Sequence, residues 1–217
     1  MIRPLTILIR KFMLIEWRQR YAISGILLHV VASVFIVFLS VKILNPPTWN
    51  ALFWLIMLFT SISAVAKSFI AESQGRHLYY YGVTSPQVMI LARIIYNAML
   101  MLLIASLSLL VYSVMMGNDV QHMPLFALAA LLGCLGFAST FTLLSAIASK
   151  AGNSNLLMPV LSIPVIVPLF LVLIKASKKA MDGIDPGLIY GDLFVLLALN
   201  VLIVALAYLL FPFLWKN

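Results

Sequence analysis

The chain has 217 residues, 64% of them hydrophobic and 9% charged, against about 45–50% and about 25% in soluble domains. No soluble core absorbs that excess, so the whole chain, 1–217, reads as one integral membrane domain. The formal charge is +8, but the bases flank apolar runs, so membrane lipid and not nucleic acid is the expected contact; the single cysteine, Cys134, excludes an intrachain disulfide and any cysteine-based metal or redox motif.

Residues 1–20 are amphipathic. Arg3, Arg10, Lys11 and Arg18 share one helical face, while Leu5, Leu8, Ile9, Phe12 and Ile15 form the opposite stripe. The spacing predicts an interfacial helix lying in the headgroup region. No small-x-small site follows the first long apolar run, so a cleavable signal peptide is not expected. Glu16 sits four residues after Phe12, on the apolar stripe. A carboxylate there is costly without a basic partner, and Arg76 and Arg93 are the candidates. A helix that ends before Glu16 is the alternative.

Six apolar runs follow, at about 21–41, 51–66, 88–116, 124–149, 156–174 and 193–214, each near or above the roughly 20 residues that a helix needs to cross a bilayer. The expected fold is therefore an all-α membrane protein of six transmembrane helices behind the interfacial helix. Trp17, Trp49, Trp54 and Trp215 lie at or near span ends, where tryptophan belts form. With the N-terminus inside, ten of the fourteen bases fall on the inner side, and Lys42, Lys175, Lys178 and Lys179 remain outside. The bias places both termini and the 67–86 loop in the cytoplasm. The outer connections are then short, the longest being a solvated loop from Lys175 to Asp192, with room for a short surface helix.

The 67–86 loop is the longest polar interruption on that side and holds Phe69, Glu72, Gly75, Arg76 and three consecutive tyrosines, Tyr79–Tyr81. A mere turn needs only a few residues. The segment is expected to form a short surface helix, with Glu72 and Arg76 paired at i, i+4 and Phe69 holding it to the membrane.

Catalytic signals are sparse. The chain lacks the P-loop pattern G-x-x-x-x-G-K-[ST], and His29, His77 and His122 fall in a span, the inner loop and an outer loop. Asn97 and Asn200 read as hydrogen-bonding glue between helices. No predicted span carries an acid at its middle, where gradient-driven transporters keep them. Energy for any transport is then expected from outside this chain. Pro159, Pro164 and Pro168 fall in one predicted helix, which marks it as a hinge or the border of a path. Gly133 and Gly136 permit a close helix contact, within the subunit or across a dimer.

This arrangement resembles the membrane subunit of a type-2 ABC exporter, and more narrowly haem exporter protein B (CcmB) of cytochrome c maturation. The residues that carry the resemblance are E-W-R-Q-R at 16–20, F-I-A-E-S-Q-G at 69–75, Ser85-Pro86, and M-P-V-L-S-I-P-V-I-V-P at 158–168. The Tyr79–Tyr81 run and the loop after Lys175 depart from it. The resemblance implies a homodimeric permease of the bacterial inner membrane, without enzymatic activity of its own. It would dock on a separate ATPase of the haem exporter protein A type, which binds ATP, through Glu16, Phe69, Glu72, Gly75 and Arg76. A haem-handling membrane subunit and a small single-span subunit are the other implied partners. The implied role is haem export, or ATP-driven release of a haem chaperone, with haem as a handled ligand and no haem, cofactor or metal ligand assigned in this chain. The same architecture serving a lipid, glycan or drug, and a non-transporting scaffold, are the alternatives.

Overall fold

The structure, a computed structural model, describes residues 2–18, 20–41, 45–65, 84–118, 120–150 and 154–216. Among the described residues there are seven α-helices and no strand. They are α1 (Ile2–Arg18), α2 (Arg20–Ser40), α3 (Pro46–Val65), α4 (Pro86–Met116), α5 (Met123–Lys150), α6 (Ser154–Met181) and α7 (Pro186–Lys216). By length and composition, α3 to α7 can each cross a membrane, and α2 adds an apolar stretch from Ser24 to Ser40. With 31 residues each, α4 and α7 are about 46 Å long. That exceeds a hydrocarbon layer of about 30 Å, so they tilt or project beyond it.

Helix α5 is the hub. Of its apolar stretch 72% is buried, against 28% for α7, so α5 forms the centre and α7 a lateral wall. It packs against α3, α4, α6 and α7. The small residues predicted to allow close approach do so inside the subunit. A Cβ at Gly133 would lie 2.7 Å from Leu173 Cδ2, and one at Gly136 would run into Leu169, both on α6.

The core has two centres. One is aromatic, with Trp49, Phe53 and Trp54 of α3 packed against Tyr112 of α4 and Phe126 and Phe137 of α5. Trp49 and Trp54 were expected at the lipid interface; both are fully buried. The Trp49 Nε1–H donates to the Gly117 carbonyl at 3.0 Å and the Trp54 Nε1–H to Ser177 Oγ at 2.8 Å. Each indole thus spends its one donor on a neighbouring helix end, which a core position requires. The second centre joins Leu8 and Phe12 of α1 to Val88, Met89 and Ile90 of α4 and Phe211 of α7.

Two predicted boundaries move. Helix α3 starts at Pro46, not near residue 51. Asn45 Oδ1 accepts from the Thr48 N–H at 2.9 Å, an N-cap, and Pro46 supplies the pre-set φ of a first helical residue. The expected solvated loop Lys175–Asp192 is helical over most of its length, because α6 runs to Met181 and α7 starts at Pro186. Gly183 turns the chain at φ +69°, and the Ile184 N–H bonds back to the Lys179 carbonyl at 3.2 Å, which is Schellman geometry. Two of the segment's three lysines have a partner there. Lys175 and Lys179 Nζ reach the two Asp192 oxygens at 3.2 and 2.6 Å, clamping α6 to α7. Backbone N–H groups of Gln121 and His122 cap the Met181 and Ala180 carbonyls.

Candidate functional site

Trp49, at the start of α3, bonds to Gly117, at the end of α4, so α3 and α4 run antiparallel. Both ends of the 66–83 connection therefore emerge where α4 begins, at the end of the bundle that carries α1. Phe69, Glu72, Gly75 and Arg76 belong to that connection and lie outside the described residues. The anchors on either side are described. Val65 is fully buried at the end of α3. Ser85 takes the N-cap position of α4 with extended φ −73° and ψ 145°, and Pro86 follows as its first residue. The Met89 N–H bonds to the Ser85 carbonyl at 3.2 Å. Proline fixes φ at this entry, so the chain leaving the connection passes directly into a stiff helix.

Helix α1 lies against the first turns of α4. Leu8 and Phe12 are buried, while Arg10, Met13 and Leu14 are exposed. The predicted apolar stripe is therefore taken up by protein. Phe12 is its deepest contact, its ring centroid 6.1 Å from that of Tyr96. The Arg93 guanidinium carbon stands 4.0 Å above the Phe12 centroid. Arg93 is only 7% exposed, a setting in which a cation–π contact is worth about 2 kcal/mol. Glu16 lies in α1 one turn beyond Phe12 on the same stripe; its side chain is not among those described.

Pro164 and Pro168 lie on the exposed face of α6, whose opposite face buries Ile166, Leu169 and Leu173. Helix α6 is unbroken through both, and Pro159 falls within it, its side chain not described. Pro164 brings no N–H to the Val160 carbonyl, nor Pro168 to the Pro164 carbonyl, so both gaps fall in a helix whose outer face meets the surroundings.

The predicted asparagine bonds are present. Asn97 Nδ2 donates to Thr142 Oγ1 at 2.7 Å, tying α4 to α5, and Asn200 Nδ2 donates to the Leu132 carbonyl at 3.1 Å, tying α7 to α5. His29 is exposed on α2, and His122 lies at the far end of the bundle; His77 is outside the described residues. Among the described residues no three His, Cys, Asp or Glu side chains converge on a point.

Two features escaped the sequence reading. The first is the seat that Phe12 makes for Arg93; its signal was an arginine inside the apolar run L-A-R-I-I, where an ionisable side chain calls for a named partner. The second is a lateral apolar groove of about 570 Å³ walled by Leu91 and Ile94 of α4, Leu135 of α5 and Asn200, Val204 and Tyr208 of α7. Nothing in the local pattern marks it, because it exists only where three helices diverge.

The family model described as CcmB protein matches residues 4–213 of the chain. No curated protein and no solved structure matches it.

Proposed function

The chain belongs to the CcmB protein family, a family of membrane permease subunits in haem export, and we propose that it works in c-type cytochrome biogenesis, driven by an ATPase carried on a separate subunit. The match over residues 4–213, nearly the full length, carries this reading. The arrangement of helices supports it. Helix α1 and both ends of the 66–83 connection meet at one end of the bundle, the geometry needed to take up movement of a docked soluble partner.

In this reading α2 to α7 are the six spans, α1 lies on the inner surface of the bacterial inner membrane, and both termini are cytoplasmic. Described bases fit that orientation: Arg10, Lys11, Arg93 and Lys150 lie at the α1 end, while Lys175, Lys178 and Lys179 at the other end are balanced by Asp182, Asp185 and Asp192. Glu72 and Arg76 pair on the connection, Phe69 and Gly75 shape it, and Glu16 fastens α1 to Arg93. Closure of the ATPase then moves the start of α4. A homodimer would set the proline-bearing face of α6 beside a second copy, where Pro159, Pro164 and Pro168 supply the hinge. Haem, or a haem chaperone released by ATP, is the handled ligand. The haem-handling and single-span subunits complete the complex.

The test is purification of the chain from native membranes, together with disruption of its gene. An ATPase subunit is expected to co-purify, with all hydrolysis residing in it, and disruption is expected to stop haem attachment to c-type cytochromes. Nucleotide hydrolysis by the isolated chain, or normal cytochromes after disruption, would refute the reading.

A further inference from the structure

Between Ser24 and Ser40, the apolar stretch of α2, the one ionisable side chain is His29. It stands nine residues after Arg20, the first residue of α2. That is about 14 Å along the helix, near the middle of a hydrocarbon layer of about 30 Å when α2 is read as a span. The side chain is exposed on the outside of the bundle and makes no hydrogen bond or ion pair among the described residues. Asn97 and Asn200, by contrast, are buried and tied to a neighbouring helix. Around His29 the outer face of α2 is low. Gly25, one turn before it, is exposed, and a Cβ there would meet nothing within 4 Å. Ala32, one turn after it, is exposed as well. The imidazole therefore projects beyond its neighbours on that face, with Leu28 beside it and Ile36 further along, both largely exposed.

Ionisable side chains at membrane depth face a bundle interior or a water-filled cavity, and they mark the path of a handled ligand. No interior of this subunit surrounds His29, so its partner comes from outside the chain. Imidazole is the commonest metal ligand among side chains. A bare ion needs several ligands, and among the described residues no three such side chains converge. A haem iron already holds four porphyrin nitrogens and takes a single histidine as axial ligand. Its macrocycle is flat and largely apolar, which suits an imidazole that stands clear of Gly25 and Ala32 among exposed aliphatic side chains. Lipid acyl chains cover the aliphatic side chains but leave the imidazole without a partner. We propose that His29 is an axial ligand for the iron of a haem seated on the outer face of α2, a nitrogen lone pair of the imidazole binding the iron. The inference rests on the reading of this chain as a subunit that handles haem, and it adds a point of contact that this reading does not require.

The test reconstitutes the full chain in lipid nanodiscs and titrates it with haemin. Metal-free protoporphyrin is the second probe, reporting contact with the macrocycle alone. Ligation of the iron is read from the Soret band and from electron paramagnetic resonance. The proposal expects a histidine-ligated iron signal in the parent, its loss in His29→Leu, and its retention in His77→Leu and His122→Leu. Metal-free protoporphyrin is expected to bind the parent and His29→Leu alike. Because His29 is exposed, His29→Leu should keep the parent's helix content and gel-filtration profile. In His29→Gly, free imidazole is expected to restore the signal, a rescue that a misfolded variant would not allow. An iron signal that survives in His29→Leu, or that is lost in His77→Leu or His122→Leu instead, overturns the proposal. Haemin that binds the parent without any histidine-ligated signal overturns it too, since that marks adventitious contact with the apolar face only. Normal haem attachment to c-type cytochromes after disruption of the gene would sink the functional reading even with the iron signal present. Lost attachment together with no iron signal would sink the ligand and leave that reading standing.

Discussion

Replacing Gly136 by alanine places a methyl group where the side chain of Leu169 already lies. The new carbon would meet Leu169 Cδ1 at a separation that real carbons do not show, and the Leu169 Cγ would be at 3.2 Å. Rotation of Leu169 is no ready escape, because that side chain is 1% exposed and held in the core. The helices must part, and over-packing of this kind costs about 1–3 kcal/mol. Leu169→Ala alone should cost about 2–5 kcal/mol through the cavity it leaves. In the double variant the methyl occupies part of that cavity, so the two costs should fall short of additivity by about 0.5–3 kcal/mol. Reversible denaturation of the purified protein in mild detergent measures all three, with tryptophan fluorescence as the signal. Trp54 is a local reporter, its Cη2 lying 3.2 Å from where a Cβ on Gly133 would be, on the same helix. A Gly136→Ala variant within about 0.5 kcal/mol of the parent, combined with strict additivity in the pair, would refute the close approach of α5 to α6.

Three further outcomes are expected. Glu72→Arg should leave membrane insertion intact yet uncouple ATP hydrolysis from cytochrome maturation, and normal maturation in that variant would remove the connection from the mechanism. Glu16→Arg should weaken maturation and loosen α1, read as faster protease cleavage between residues 10 and 20; Arg93→Glu in the same chain should restore part of both, and a double variant worse than either single one would show that the two positions do not pair. Trp54→Phe deletes the bond to Ser177 and should destabilise the fold by about 0.5–1.5 kcal/mol or more; Ser177→Ala added to it should cost little further, measured by the same denaturation assay.

Run length reached five of the six expected spans, α3 to α7, because apolar runs of such length have one stable form in a bilayer. The α1 stripe and the asparagine bonds were legible for a related reason: both follow from one helix and its spacing. The far end of the bundle was harder to read. S-K-K-A-M-D-G-I-D-P-G looks like a loop by composition, yet Lys175 and Lys179 pair with Asp192 across two helices, a contact invisible to a local window. Its glycine and following proline were the usable signal, since they mark a helix stop and a helix start. Trp49 and Trp54 misled because position near a span end does not distinguish a belt from a core; only the carbonyl of Gly117 and the hydroxyl of Ser177 decide. For the site, Glu16 was legible as an acid in need of a base, with Arg76 and Arg93 the candidates, but the seat of Arg93 on Phe12 depends on how α1 leans on α4. The groove at Asn200 depends on three helices at once.

The unbroken course of α4 has a mechanical consequence. Its first turn is stiffened by Pro86 directly after the connection, its opening turns carry the weight of α1 through Phe12 and Arg93, and its last residue abuts Gly117, which holds Trp49. A push or twist received at Ser85 is thus delivered to the aromatic cluster at the opposite rim by a single rod, without passing through any joint. Such a rod has a stroke set by its tilt, and it reports at one rim the posture imposed at the other.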